Sequence, residues 1–179
     1  CLVGSEMCIR DSGVSAPTAK SWVAILERSG VIFILRPYYS NITKRLVKTP
    51  KVYFMDTGLA AYLCRWPSAE TLENGAMDGA FFETYVVTEI VKSYFNAGKP
   101  VDLFYYRDID KKEIDLLFVE GDKMYPIEIK KGKEPSKPDK NFGVLQQFKM
   151  KVEPGIILCM SDELIPYNRE SWYCPVSVL

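Results

Sequence analysis

A predicted β-hairpin at residues 113–131, EIDLLFVEGDKMYPIEIKK, constrains the fold more than any other segment of the chain. Two runs of β-branched, aromatic and other apolar residues flank Gly121-Asp122, a pair that favours a two-residue hairpin turn. Residues equally distant from that turn lie opposite each other. Glu120 is therefore expected opposite Lys123, and Asp115 opposite Glu128.

Side chains alternate across a strand, so this register divides the hairpin into two faces. The first face is entirely apolar and is expected in the core; it comprises Ile114, Leu116, Phe118, Tyr125, Ile127 and Ile129. The second face is apolar near the turn and charged at its far end, where it carries Glu113, Asp115, Glu128 and Lys130, with Glu113 opposite Lys130. A charged end on an otherwise buried face predicts a pocket.

The carboxylates of Asp115 and Glu128 are the candidate metal ligands of this pocket. Directly opposed carboxylates, with Cβ atoms ~5 Å apart, repel each other unless a proton or a cation lies between them. The chain contains no histidine, which excludes the usual base of serine and cysteine hydrolases and the usual zinc or iron ligand. Oxygen ligands alone favour Mg²⁺ or Mn²⁺.

Lys130 and Glu83 complete the candidate site. Lys130 follows Glu128 by two residues and therefore shares its face, where an ammonium group can orient water or stabilise charge on a phosphate. Glu83, on the preceding predicted helix, adds a further carboxylate. The alternative is a structural ladder of salt bridges, in which Lys130 neutralises Glu113 and Glu128.

The elements around the hairpin predict an α/β (α+β) domain in the order αβββαβ with a mixed central sheet. The predicted elements are a helix at 79–98, strands at 102–107, 113–120 and 123–131, a short helix at 142–150, and strands at 155–160 and 172–179.

The first half of the chain is basic and is predicted to be a winged helix-turn-helix. Residues 13–66 hold eight Lys/Arg and two Asp/Glu, a net of +6, whereas residues 67–179 hold fourteen and nineteen, a net of −5. The predicted recognition helix is 17–28, with Trp22 in the core, and the wing is 40–51. Candidate contacts to DNA phosphates are Lys20, Lys44, Arg45, Lys48 and Lys51. The alternative is a solvated hairpin edge protected by lysines.

Several of these motifs, taken in order, resemble a known family. VSAPTAKSWVAILERSGVIFILRPYY, KRLVKTPKVYFMDTGLAAYL, GAFFETYVVTEI, EIDLLFV and YPIEIKKG are similar to the C-terminal region of bacterial and archaeal AAA-type ATPases. Asp115 and the Glu128-Ile129-Lys130 triplet resemble the PD-(D/E)xK nuclease superfamily, which has a restriction-endonuclease-like fold. Ile114-Asp115 stands where that superfamily often has Pro-Asp.

This resemblance implies the role of each site residue. Asp115 and Glu128 would be metal ligands, Lys130 the catalytic lysine, and Glu83 the acid on the helix. It also implies an ATPase module N-terminal to this chain, which itself contains no GxxxxGK(S/T) motif. The superfamily includes inactive members.

The chain is therefore expected to divide into a winged helix at 13–66, a linker at 67–78 and a nuclease-like domain at 79–179. Residues 1–12 resemble a translated adapter sequence and are excluded as a non-native stub. No apolar run approaches the ~20 residues that span a bilayer, and no signal peptide is evident, so we expect a cytoplasmic protein without membrane contact.

Three functional hypotheses remain open at this stage. The first is a DNA-associated module that hydrolyses phosphodiester bonds with Mg²⁺ or Mn²⁺. The second is an inactive nuclease-like module that mediates DNA or protein contacts for the ATPase. The third is a toxin-like or defence effector that the ATPase regulates.

Overall fold

The structure is a computed structural model that describes residues 13–38, 47 and 49–179. Within these residues the α-helices are α1 (Ala16–Arg28), α2 (Thr57–Leu63), α3 (Ala69–Glu73) and α4 (Asp78–Asn96), and 3-10 helices occupy Phe142–Gln147 and Val176–Val178. The strands are β1 (Ile32–Pro37), β2 (Lys51–Phe54), β3 (Leu103–Arg107), β4 (Glu113–Glu120), β5 (Lys123–Ile129), β6 (Lys151–Val152), β7 (Gly155–Cys159), β8 (Ile165–Pro166) and β9 (Ser171–Pro175).

All of these strands belong to one mixed sheet, in the order β2-β1-β3-β4-β5-β7-β9-β8, with β6 paired to β5. The neighbours β3, β4 and β5 are antiparallel, whereas β5, β7 and β9 run parallel to one another. The prediction of a mixed α+β fold is therefore confirmed. The winged helix and the nuclease-like fold remain predictions.

The sheet continues across the predicted boundary at residues 67–78. Strand β1 pairs with β2 in an antiparallel manner and with β3 in a parallel manner, through Arg36 opposite Phe104. The predicted linker itself contains α3, whose first turn is closed by a capping box between Ser68 and Thr71. The division into two domains remains a prediction, but hydrogen bonds join the strands on its two sides.

Helix α1 begins and ends as its sequence predicts, but its packing differs. The Ser15 hydroxyl accepts a hydrogen bond from the backbone N–H of Thr18, and the helix ends at Arg28, before Gly30. The placement of Trp22 in the core is wrong, because 55% of its surface is exposed. No residue of α1 is buried, and β1 is the described element that packs most closely against this helix.

Helix α4 covers one face of the sheet near β2, β3 and β4. Val86, Val87 and Val91 are fully buried there against Leu116 and Ile129. Gly98 ends this helix with a φ of +64°, a conformation that glycine adopts without steric cost. Against the other face packs a cluster that contains Leu117, Met124, Leu145 and Phe148.

The hairpin register is as predicted from Glu120 opposite Lys123 to Leu116 opposite Ile127. The partner strand β3, however, reveals a β-bulge in β4. Phe104 lies opposite Leu117 and Tyr106 opposite Ile114, so three steps along β4 span two steps along β3.

This bulge corrects the predicted core face of the hairpin. Ile114 was expected beside Leu116, but it packs with Leu117 on the other face. The bulge places an extra residue at Asp115 or Leu116. The side chains of Ile114 and Leu117, three residues apart, therefore point to the same face of the sheet. Bulges re-aim side chains in this way, and here the re-aimed segment includes a candidate site residue.

The segments after the hairpin differ from their predictions in detail. The predicted helix at 142–150 is the 3-10 helix Phe142–Gln147, and the predicted terminal strand ends at Pro175, before a second 3-10 helix. The short strands β6 and β8 were not predicted. None of the described helices has the length and apolar character needed to cross a membrane.

Candidate active site

Asp115 and Glu128 are both buried near the end of the hairpin farthest from its turn, with exposed fractions of 8% and 5%. The backbone N–H of Ile129 donates a hydrogen bond of 2.9 Å to Oδ2 of Asp115. This contact ties the Asp115 side chain to β5 beside Glu128. The structure thus brings together the two carboxylates that the register predicted as partners.

Lys130 lies between these carboxylates. Its Nζ is 2.7 Å from Oε1 of Glu128 and 3.5 Å from Oδ2 of Asp115. The backbone N–H of Lys130 donates to the carbonyl oxygen of Leu158 on β7, so the parallel neighbour of β5 fixes the backbone from which this side chain extends. The predicted pairing of Lys130 with Glu113 is absent from the ion pairs of the described residues.

The pKa values of these groups reflect burial together with mutual repulsion. Desolvation raises the pKa of Asp115, and the charge of Glu83 raises it further. Desolvation and the charge of Asp115 raise the pKa of Glu128 to about 7, although Lys130 opposes the shift. Burial lowers the pKa of Lys130, but the two carboxylates outweigh burial, so that its pKa is raised overall.

One oxygen of Glu128 is left without a partner. Oε2 is buried and has no hydrogen-bond partner within normal distance and angle, whereas Oε1 contacts the ammonium of Lys130. The backbone N–H of Asp115 faces the same carboxyl and lowers its pKa slightly, but it makes no hydrogen bond of normal geometry. An unsatisfied buried carboxylate oxygen is costly, and a proton or a bound cation would remove that cost.

A second group of charges adjoins this pair, centred on Lys51 at the start of β2. Its Nζ lies 3.0 Å from Oε1 of Glu83 and 2.5 Å from Oε1 of Glu113. The Tyr53 hydroxyl donates to the same Oε1 of Glu83 at 2.6 Å. Glu83 occupies the face of α4 that bears Val86 one turn later, which directs its carboxylate toward the sheet.

The buried pair with Lys130 and the group around Lys51 are close enough to influence each other's charge, and we call them together the carboxylate unit; it comprises Asp115, Glu128, Lys130, Lys51, Glu83 and Glu113. Glu83 raises the pKa of Asp115, and Lys51 lowers it, so both act on the buried pair. Four carboxylates and two ammonium groups give a formal charge of −2 when all are ionised. Arg107, 3.6 Å from Glu113 at the edge of the unit, reduces this charge to −1. The surplus negative charge suits a cation.

The predicted DNA contacts fall into three groups in the structure. Lys20 is exposed on α1. The next three, Lys44, Arg45 and Lys48, lie outside the described residues. Lys51 points into the carboxylate unit, with 22% of its side chain exposed.

The residues present fit a metal ion in a limited way. Among the described residues, no group of three or more acidic or cysteine side chains is arranged to hold a metal. Asp115 and Glu128 supply two hard oxygen ligands, and the unpaired Oε2 of Glu128 provides an open lone pair. These two residues would hold Mg²⁺ or Mn²⁺, with water completing the coordination sphere.

Residues 78–179 match the sequence profile of a domain of unknown function, DUF4143. This match covers more than half of the chain. The chain belongs to the DUF4143 family. All the residues of the buried pair and Lys130 lie inside the DUF4143 match, whereas Lys51 and Tyr53 precede it.

A second profile, domain of unknown function DUF8612, matches residues 5–70. That match contains Lys51 and begins inside the segment 1–12 that the sequence analysis excluded.

Two mycobacterial proteins are similar to this DUF4143 chain. The uncharacterized proteins Rv2008c of Mycobacterium tuberculosis and Mb2031c of Mycobacterium bovis are each 31% identical to it over 133 residues, 74% of this chain. The chain spans 29% of the length of each of these relatives. No solved structure matches the chain significantly.

The contribution of β2 to this site was not predicted from the sequence. Lys51 was assigned to the wing, and Tyr53 was given no role at the site. Their two-residue spacing does place both side chains on one face of a strand. That this face lies under Glu83 depends on the pairing of β1 with β3, a contact between distant segments that no local pattern reveals.

Proposed function

We propose that this DUF4143 chain is a nuclease-like module that hydrolyses phosphodiester bonds of DNA with the help of a divalent cation. The observation that carries the proposal is the buried pair Asp115–Glu128, with Lys130 beside it and Oε2 of Glu128 unsatisfied. The resemblance of the same residues to the PD-(D/E)xK superfamily supports it.

The proposed mechanism gives each side chain one task. Asp115 and Glu128 hold the cation, which supplies Lewis-acid activation of a phosphate oxygen and of water when bound. Lys130 leaves its ion pairs to contact the scissile phosphate, where its ammonium stabilises the charge that develops in the transition state. Glu83 adds negative charge that strengthens the attraction for the cation.

DNA binding by the first half of the chain is part of this proposal. The net charge of +6 over residues 13–66 suits a polyanion, and Lys20 is exposed on α1. We further propose that an AAA-type ATPase module acts with this chain. The resemblance of both halves to the C-terminal region of such ATPases supports that partner.

A second candidate function is a non-enzymatic module that mediates DNA or protein contacts. The observation in its favour is that Lys130 already pairs with both carboxylates, as a purely structural salt bridge would. The absence of a three-ligand acidic group among the described residues points the same way.

Titration with Mg²⁺ or Mn²⁺ distinguishes these candidates. The purified full chain is incubated with plasmid and with single-stranded DNA across a range of metal concentrations, with a chelator as the blank. The nuclease proposal expects metal-dependent cleavage of at least one substrate. Metal-independent binding to DNA without cleavage favours the second candidate.

A further inference from the structure

Lys51 occupies an unusual position for a lysine on an outer strand of a sheet. Strand β2 lies at one edge, yet the side chain of Lys51 turns inward under α4, where only 22% of it is exposed. The ammonium group also lies 5.4 Å from the centre of the Tyr105 ring, within the range of cation–π attraction.

Lys51 and Tyr53 together occupy one oxygen of the Glu83 carboxylate. Oε1 of Glu83 receives both the ammonium of Lys51 and the hydroxyl of Tyr53, at 3.0 and 2.6 Å. The same ammonium reaches Oε1 of Glu113 at 2.5 Å. Two carboxylates beside the buried pair are thereby anchored to β2.

We infer that Lys51 is a positioning residue of the site. It anchors Glu83 and Glu113 to β2, so that these two carboxylates do not compete with Asp115 and the unpaired Oε2 of Glu128 for the cation. The inference rests on the proposed function, because it gives the buried pair the role of cation ligand.

One consequence concerns how the chain is divided. Lys51 lies in the first half, within the DUF8612 match, whereas Asp115, Glu128 and Lys130 lie within the DUF4143 match. The site is therefore built from both halves, and the sheet pairing of β1 with β3 is what joins them.

The test measures Mn²⁺ affinity of the full chain by electron paramagnetic resonance, in which free Mn²⁺ gives a sharp signal that is lost on binding. Lys51→Met removes one positive charge from the unit, so the affinity should become about tenfold tighter. Lys51→Arg keeps the charge and both carboxylate partners and should stay within about threefold of the unmodified chain.

Lys92→Met is the matched control. Lys92 also forms an ion pair with a half-buried glutamate, Glu89, but in the part of the chain that the structure describes this pair makes no hydrogen bond or ion pair with the carboxylates of the site, so its loss should leave the Mn²⁺ affinity unchanged. Equal affinities of the Lys51→Met, Lys92→Met and unmodified chains would overturn the inference, because Lys51 would then have no influence on the cation.

The rate of DNA cleavage provides a second measurement. If Lys51 were purely structural, its substitution would change cleavage and Mn²⁺ affinity in the same direction. In Lys51→Met, Glu83 and Glu113 are free to draw the cation away from Lys130, so we expect cleavage to fall at least about tenfold while metal binding tightens. A folded Lys51→Met protein that loses both cleavage and Mn²⁺ binding would contradict the positioning role.

If the unmodified chain binds Mn²⁺ but cleaves no DNA, the proposed function fails. The Mn²⁺ affinities of the Lys51 variants still decide the role of Lys51 in that case.

A double variant keeps the inference testable if Lys51→Met does not fold. Lys51→Met with Glu83→Gln removes an ion pair as a unit and preserves the net charge of the site. Its Mn²⁺ affinity should lie close to that of the unmodified chain, whereas Glu83→Gln alone should weaken binding. A double variant that binds as weakly as Glu83→Gln alone would contradict the coupling of Lys51 to the site.

Discussion

The ammonium of Lys130 lies 2.7 Å from Oε1 of Glu128, while Oε2 of the same carboxylate has no hydrogen-bond partner. One carboxylate thus combines a satisfied and an unsatisfied oxygen in a buried position. A structural salt bridge needs only the first oxygen, whereas a cation site needs the second. The two functions proposed for this chain therefore make different predictions for a variant without Lys130. If the salt bridge is structural, the fold is destabilised; if the site binds a cation, cleavage is lost while the fold is kept.

The first prediction concerns the two buried carboxylates and the lysine beside them. Asp115→Asn, Glu128→Gln and Lys130→Ala should each lower metal-dependent DNA cleavage by at least about a hundredfold, because the first two remove ligand charge and the third removes charge stabilisation of the transition state. Cleavage of plasmid DNA and circular dichroism check activity and fold.

Lys133→Ala serves as the control for Lys130→Ala. Lys133 pairs with Asp162 on the surface, where both side chains are largely exposed, so its loss should change neither cleavage nor fold. Undiminished cleavage by Lys130→Ala would mean that the activity comes from another site or a contaminant. Unfolding of Glu128→Gln would favour the structural salt bridge.

Local patterns in the sequence were sufficient to predict the hairpin and the proximity of Asp115, Glu128 and Lys130. They did not predict the partners of Glu113, which pairs with Lys51 and Arg107 and not with Lys130. The turn at Gly121-Asp122 determines the register from Glu120 opposite Lys123 to Leu116 opposite Ile127. Beyond that point, the hydrogen bond from the Ile129 N–H to Asp115 and the contacts of Lys130 with both carboxylates hold Asp115 beside Glu128. The boundaries of α1 followed equally well from Ser15 and Gly30, because capping is a local interaction.

The features that the sequence analysis missed depend on contacts between distant segments. The bulge in β4 is visible only against β3, and it moved Ile114 to the opposite face. The parallel pairing of β1 with β3 brings Lys51 under α4, which the wing prediction did not anticipate. Neither pairing leaves a periodic signal in a single segment.

The second prediction tests the turn that sets the hairpin register. Gly121 has a φ of +61°, so Gly121→Ala should destabilise the fold by about 1–2 kcal/mol through left-handed backbone strain, although the added methyl group meets no atom within 4 Å. Chemical denaturation measures the change. Gly79→Ala, in α4 and equally free of contacts, should be neutral or slightly stabilising. Equal stabilities of the two variants would refute strain at Gly121.

The third prediction concerns DNA binding by the first half of the chain. Charge reversal at Lys44, Arg45 and Lys48, which lie outside the described residues, should weaken duplex binding equally across sequences and reduce its dependence on salt. Fluorescence anisotropy at several salt concentrations measures both effects. Lys149→Glu, an exposed lysine of the second half, corrects for the general change in net charge. Unchanged affinity at low salt would make this segment an ordinary solvated edge.

The fourth prediction is that the metal-free chain loses stability as pH rises. Burial raises the pKa of Glu128 from its ordinary value of 4.5 to about 7, so between these values the folded state binds more protons than the unfolded state. Stability is therefore greatest below about pH 4.5 with respect to this group and is lost as pH rises through 7, by an amount on the order of 3 kcal/mol. Because other carboxylates titrate in acid, the quantity that matters is the difference between variants.

Urea denaturation in a chelator, repeated from pH 5 to pH 8, measures that difference. Glu128→Gln removes one of the two carboxyls whose pKa is raised and should make the decline less steep, so that its advantage over the unmodified chain grows with pH and levels off above about pH 7. Glu134→Gln, on an exposed loop, should follow the unmodified chain throughout. Mn²⁺ should restore the stability of the unmodified chain at pH 8 but not change that of Glu128→Gln, since a ligand stabilises only a state that binds it. Parallel profiles for Glu128→Gln and the unmodified chain would mean that Glu128 is fully ionised and satisfied in the folded protein.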